Sequence, residues 1–410
     1  MAAPRQSLWR DIRALPRPAW VLYAGSFVNR FGSFVTVFLV LYLVDSGFPV
    51  AQAGLAASSY GVGSLASATV GGYLADRLGR RRTIALSMFG AAAAALLLSQ
   101  ARGLGPIIAL TALFGLLSEL QRPASSALLA DVVPEGRRLP AFAGYRLAIN
   151  AGYAFGPAVA GYLAERSFFL LFLGEALTSA VLGVVALVAL PEGVRSRASD
   201  ERRGESVRAI AADHRFVLFL FATVLAAFVY MQSGATLPLH VRASGLGTTT
   251  YGWLISLNGL LIVALEFPLI GVTRRFAAPP VIAAGVVLTG IGFALTGTAH
   301  TVMLLALTVV IWTFGEMVAA PVGNAYVADL APLHLRGRYQ GAYSLTFALG
   351  FVLAPAIGTR LFAWSPTGLW VTCAVLGVVS AALILGGPRR RVRPELAEAE
   401  VGPDIPGTPR

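Results

Sequence analysis

The chain alternates long apolar runs with short charged or turn-rich breaks, and this pattern limits its folds more than any other feature. A bilayer core of about 30 Å takes roughly 20 helical residues at a rise of about 1.5 Å each. Twelve runs of that kind occur, over 19–44, 50–75, 83–100, 105–130, 140–164, 168–190, 216–241, 250–272, 280–298, 302–328, 338–363 and 367–386. Backbone polar groups in lipid must be paired within the spanning segment, and these runs are too long and too evenly apolar for barrel strands. The sequence therefore predicts an all-α integral membrane protein with twelve transmembrane helices. Only 13% of the 410 residues are charged, about half the share in a soluble protein. The first run follows Arg5, Arg10, Arg13 and Arg17, as a signal peptide would. Its apolar stretch is about twice a typical signal core and leads straight into a second run, so an uncleaved first helix is expected.

The remaining charge is lopsided, with 32 basic residues, all arginine, against 20 acidic ones and a formal net charge of +12. A basic balance points to nucleic acid only when it gathers on a soluble domain, and no stretch here is long enough to form one. Counted against the runs, 25 of the 32 arginines fall on the side holding both termini and four on the other (Arg102, Arg166, Arg242, Arg360). Three, Arg30, Arg122 and Arg146, lie within runs. The positive-inside rule then puts both termini in the cytoplasm of a bacterial plasma membrane, with anionic lipid as a partner of the arginine-rich face. Proposed boundaries are an N-terminal arm (1–18), a six-helix bundle (19–190), a cytoplasmic linker (191–215), a second six-helix bundle (216–386) and a charged, proline-rich tail (387–410) expected to be disordered. The single cysteine, Cys373, sits in an apolar run and offers neither a disulfide nor a metal cluster. With no P-loop, no HExxH and no soluble domain, neither an enzyme nor a cofactor is expected, and the chain is expected to be a monomer.

A shift of 198 residues places Asp131, Pro134, Arg138, Tyr145, Leu147, Gly152, Pro157, Ala158 and Leu163 on Asp329, Pro332, Arg336, Tyr343, Leu345, Gly350, Pro355, Ala356 and Leu361. Glu119 falls on Glu316 with one residue of slippage. Two parallel six-helix repeats with both termini on one side describe a transporter built around a pseudo-two-fold axis, its site near mid-membrane between the halves. Here the chain resembles the major facilitator superfamily. The segment Gly72-Tyr-Leu-Ala-Asp76-Arg77-Leu-Gly79-Arg80-Arg81-Arg82 matches that family's cytoplasmic loop motif at each characteristic position, while the second half keeps only Arg274 and Arg275. Glycine permits a tight turn and close helix approach, the acid suits a helix N-terminus, and the arginines suit Asp131 or anionic lipid. Such contacts would hold the cytoplasmic side shut until the halves rock. The fifth run reads Gly152-Tyr-Ala-Phe-Gly156-Pro157-Ala-Val-Ala-Gly161, similar to the glycine-proline motif of the family's drug:proton antiporters, with Ala160 where many members have glycine.

Charges inside a span cost about 2.5–3.5 kcal/mol on insertion scales, so each needs a partner, a wet cavity or a task. There are seven: Arg30, Glu119, Arg122, Arg146, Glu175, Glu266 and Glu316. The resemblance implies that runs 1, 4, 7 and 10 line a cavity and runs 2, 5, 8 and 11 flank it, which accounts for six of the seven. Glu119 and Arg122 are three apart on one helical face, either as a permanent pair or as a proton-exchanging site. Glu266 has no arginine within one turn, which makes it the first candidate for a proton carrier, with Glu316 its closest competitor. Glu175, on an outer helix, reads as a packing residue. Arg30 is placed to bind a substrate anion or to tune Glu119 or Glu266, and Arg146 with Asn150 offers polar lining. Asn29, Phe31, Tyr230, Gln232, Trp253, Asn258, Trp312 and Asn324 complete a pocket with a few hydrogen-bonding points. The reading is a secondary transporter exchanging protons for small amphipathic compounds. A nutrient symporter or uniporter and a non-transporting scaffold or receptor are the alternatives.

Overall fold

A computed structural model describes residues 13–134, 137–193, 210–332 and 335–386, and each apolar run within them lies on a helix or on successive helices. The first run is split into α1 (Arg17–Phe31) and α2 (Phe34–Asp45), followed by α3 (Val50–Arg77), α4 (Arg80–Gln100), α5 (Leu104–Val132), α6 (Arg138–Arg166) and α7 (Phe169–Ala189). The second half starts with α8 (His214–Tyr230), α9 (Gln232–Ala235) and α10 (Leu237–Ala243), which share the seventh run. After these come α11 (Thr248–Thr273), α12 (Ala278–Thr296), α13 (Val302–Leu330), α14 (Arg336–Leu353), a π-helical turn over Ala354–Gly358, α15 (Thr359–Trp364) and α16 (Pro366–Gly386). No strand occurs among the described residues. Most of the arm, linker and tail expected from the sequence lies outside them.

Ten helical segments are long and apolar enough to cross a membrane. The helices of the second and fifth runs, α3 and α6, are not among the ten although they measure 28 and 29 residues, because glycine, serine and polar residues interrupt them. Small residues have a different use in an apolar bundle, where helices gain by close packing and not by leaving water. A Cβ on Gly115 of α5 would strike the carbonyl of Tyr60 on α3. One on Gly152 of α6 would lie 2.7 Å from the Phe27 carbonyl oxygen of α1, and one on its repeat mate Gly350 would lie 2.9 Å from the Cβ of Ala227 on α8. The internal repeat is thus also a repeat of packing: the fifth run seats on the first as the eleventh seats on the seventh.

The break in the first run has a defined partner. At Gly32 and Ser33 the helix restarts, which exposes amides that need acceptors. The buried Glu175 carboxylate of α7 accepts the Val35 N–H at 2.7 Å. The outer acid expected to be a packing residue therefore holds the start of α2.

The two halves join at the end of the bundle away from the termini. There the Tyr251 hydroxyl donates to the Val37 carbonyl at 3.1 Å, Ala158 N–H to Ser256 Oγ at 2.9 Å, and Thr248 Oγ1 to the Gly161 carbonyl at 3.0 Å. Arg242 pairs with Asp45 at 2.8 Å. The glycine-proline segment of α6 takes part directly, since a Cβ on Gly161 would lie 2.6 Å from the Thr248 carbonyl oxygen of α11. One apolar core cluster runs through both halves, and two smaller ones stay within a half each.

Overpacking a helix contact costs about 1–3 kcal/mol. Gly115→Ala should therefore lower the thermal unfolding midpoint of the detergent-purified protein by several degrees. Gly271→Ala, where an added Cβ meets nothing within 4 Å, should leave it unchanged; equal midpoints for the two variants would refute this account of the α3–α5 contact.

Candidate functional site

A cavity of about 510 Å³ lies between the halves, walled by residues of runs 1, 2, 4 and 5 on one side and 7, 8, 10 and 11 on the other. Each wall has one carboxyl, Glu119 buried behind the N-terminal wall and Glu316 partly buried on the C-terminal one, in different company.

On the N-terminal wall Glu119 is the centre of a cluster. Arg30 of α1 approaches its Oε1 at 3.5 Å, the Tyr60 hydroxyl of α3 donates to the same oxygen at 3.1 Å, and Arg122 one turn along α5 reaches Oε2 at 2.9 Å. Arg30 also donates to the Tyr153 hydroxyl at 3.3 Å and sits over that ring. Glu119 and Arg30 are buried, whereas the Arg122 side chain is 55% exposed and lines the cavity. On the C-terminal wall Glu316 of α13 accepts from Asn258 Nδ2 at 2.9 Å and from the Tyr230 hydroxyl, both neutral donors. Asn258 also donates to Thr313 Oγ1 at 3.1 Å.

Of the residues expected to bind substrate, Arg122, Tyr230, Asn258, Trp312 and Asn324 line this cavity, and Arg30 stands behind it against Tyr153 and Glu119. The other four are elsewhere. Trp253 is 60% exposed and does not border the cavity. Gln232 is fully buried, donating to the Phe228 carbonyl and accepting from Thr236. The Asn29 amide contacts Met88 Sδ at 3.3 Å, and Phe31 stacks on Phe27 and meets Phe34 edge to face. Tyr60 and Tyr153 are the residues that sequence spacing missed. Tyr60 was recoverable from the repeat, because the same shift of 198 places it on Asn258, and the two donate to Glu119 and Glu316 respectively.

Glu266 requires a correction. Without an arginine on its own helix it reads as unpaired, but Arg146 of α6 reaches it across the boundary between the halves. The pair borders a separate cavity of about 110 Å³ that includes Asn150. Spacing along one helix cannot reveal a partner carried by another.

The loop motif gathers around Arg80, which is buried and lies 3.4 Å from Asp76, 3.3 Å from Asp131 and 3.2 Å from the Ala75 carbonyl. Asp76 thus serves Arg80 and not a helix N-terminus, which differs from the expectation. Gly79 makes the turn with φ of 91°, a value few other residues adopt. Arg81 and Arg82 reach Glu192 at 3.0 and 3.8 Å, Arg77 lies over the Tyr73 ring, and Gly72 borders open space. In the glycine-proline segment Gly156 takes the carbonyl of Phe31 and Gly252 of α11 takes that of Pro157.

The sequence profile of the Major Facilitator Superfamily matches residues 22–271 and 219–406. The chain is 31% identical over 360 residues to the uncharacterized MFS-type transporter YqjV of Bacillus subtilis, covering 85% of this chain and 87% of that one. It is 26% identical over 385 residues to a Na(+), Li(+), K(+)/H(+) antiporter of Planococcus maritimus (86% and 90% covered). The identity to the multidrug resistance protein MdtH of Cronobacter sakazakii is 25% over 337 residues (80% and 84%). Among solved structures, a point mutant of the nucleoside transporter NupG superposes with a TM-score of 0.78 at 18% identity, over 90% of this chain and all of that one.

The cross-boundary pair yields a direct test. Arg146→Ala leaves the Glu266 side chain, 10% exposed, without its cation. Arg146→Ala, Glu266→Ala and the double variant should show a coupling of about 0.5–3 kcal/mol in the stability of the purified protein. Strictly additive losses would mean that the two charges do not support one another.

Proposed function

The chain belongs to the Major Facilitator Superfamily and is an integral membrane transport protein, and from that premise we propose that it is a proton-coupled antiporter exporting small amphipathic compounds. Its setting in this reading is the bacterial plasma membrane, with twelve crossings, both termini cytoplasmic and an arginine-rich inner face against anionic lipid. The two six-helix bundles, 19–190 and 216–386, rock about the central cavity, and the Arg80 cluster latches the cytoplasmic side.

The observation that carries this reading is the unequal company of Glu119 and Glu316. Glu119 is held by Arg30 and Arg122, so its charge is neutralised in place. Glu316 has hydrogen-bond partners that suit either form of a carboxyl group: the Asn258 amide donates to a carboxylate, and the Tyr230 hydroxyl can donate to a carboxylate or accept from the acid. It also faces the cavity, where a proton and a basic group on a solute would compete for it. Glu316 is therefore the proposed proton carrier in place of Glu266, whose partner is Arg146. Walls that mix aromatic and aliphatic residues with hydroxyls, amides and two charged groups suit an amphipathic solute. A second reading, exchange of a monovalent cation for protons at Glu316, draws support from the Planococcus maritimus relative.

Proteoliposomes under an imposed pH gradient test both. Gradient-driven movement of an amphipathic dye should fall by about tenfold or more in Glu316→Gln, and the exchange of labelled for unlabelled dye that remains without a gradient should lose its dependence on pH. A Glu316→Gln variant that keeps the gradient dependence would remove Glu316 from the proton path. Proton flux elicited by sodium or potassium alone, with no dye movement, would favour the second reading.

A further inference from the structure

We propose that the cavity takes zwitterionic amphipaths, with the basic group of the solute at Glu316 and its acidic group at Arg122; this rests on the antiport reading above. Charge is divided unequally between the two walls. Arginine keeps its charge in proteins, and on the N-terminal wall two guanidiniums share the single carboxylate of Glu119. The other nearby charges lie off the cavity surface, since Glu175 sits on the outer helix α7 against the Val35 amide and does not line the cavity, and Arg146 pairs with Glu266. At the cavity face of this wall one positive charge is left over. It is expressed on the cavity surface, because the Arg122 side chain is 55% exposed while those of Arg30 and Glu119 are 6% and 8% exposed.

The opposite wall has the reverse sign. Glu316 brings one negative charge when ionised and has only neutral hydrogen-bond partners. The Trp312 indole N–H, buried and without an acceptor in the protein, adds a donor on the same helix. Between the walls lie Tyr153, Tyr230, Phe347 and Phe351 around about 510 Å³, within the range of pockets that take drug-sized ligands.

A solute with a single positive charge satisfies Glu316 and leaves the excess on Arg122 unanswered in a membrane-embedded cavity. One with a single negative charge satisfies Arg122 and faces Glu316. A zwitterion answers both at once. The asymmetry is written into the chain, because the repeat shift carries Arg30 to Phe228 and Arg122 to Ala320, so the second half has no equivalent of either guanidinium. A further consequence follows from charge conservation: if one proton is exchanged for one solute, a zwitterion leaves one net charge moved per cycle, whereas a singly cationic solute leaves none.

The test uses three xanthene dyes in proteoliposomes of the full-length protein under an imposed pH gradient: one bearing amines and a free carboxylate, its methyl ester, and the fluorescein analogue with hydroxyls in place of the amines. The free-acid amine dye should be moved at least about tenfold more efficiently than either of the others. That preference should collapse in Arg122→Gln and persist in Arg122→Lys, which controls for folding. An imposed membrane potential should accelerate the free-acid amine dye and leave the ester unaffected. Gradient-driven ester transport equal to that of the free acid overturns this inference and leaves the antiport reading standing. If the gradient drives none of the three dyes, the antiport reading falls and this inference with it.

Discussion

An ionised side chain inside an apolar bundle must find its partner within the protein, and that requirement organises everything polar in this molecule. The two halves meet it differently. The first half surrounds Glu119 with Arg30, Arg122 and Tyr60, forming a cluster that ties α1, α3 and α5 together. The second half gives Glu316 only Asn258 and Tyr230, tying α8, α11 and α13 with neutral groups. Elsewhere the same rule places Glu175 on the exposed amide of a broken helix and Glu266 on an arginine from the other half. No charge among these is idle, and only Glu316 has partners that serve both protonation states.

The polar clusters are precise because the helices around them pack closely. Gly115, Gly152, Gly156 and Gly350 each stand where a Cβ would strike a neighbouring helix, and through these positions the fourth run approaches the second, the fifth the first and the eleventh the seventh. The same device joins the halves, where Gly161, Gly252 and Gly259 bring α6 and α11 into backbone contact. Along this seam small residues and a few hydrogen bonds give α6 and α11 two smooth surfaces that can tilt against one another. That property suits the proposed rocking, with the Arg146–Glu266 pair as a charged contact spanning the same two helices.

Much of this was legible in the sequence, and the limits have a physical cause. Apolar runs, their breaks and the shift of 198 residues revealed the helical class and the paired halves, because lipid leaves the backbone few options. The acids Glu119 and Glu316 stood out for the same reason. Direction was harder to read. These helices are apolar nearly all round, so periodicity does not say which side of a helix faces the cavity. Trp253 faces outward and Gln232 is enclosed, although both read equally well as pocket residues. Partners on other helices were equally hidden, as Arg146 and Tyr153 illustrate, because pairing across a bundle leaves no spacing rule along the chain.

The repeat explains why Glu119 and Glu316 differ so sharply. Tyr60 and Asn258 occupy equivalent positions and make equivalent donations, so the framework around each acid is shared. What differs is what has been added: Arg30 and Arg122 in one half stand where the other has Phe228 and Ala320. Symmetric packing suits the proposed rocking of both halves about a central axis, while the unequal substitution gives them different chemistry. A carboxyl group fixed by two guanidiniums contributes a constant field to the cavity, and one held by an amide and a phenol can respond to what enters. In the proposed cycle the first half sets the charge a solute must complement, and the second converts its arrival into the release of a proton.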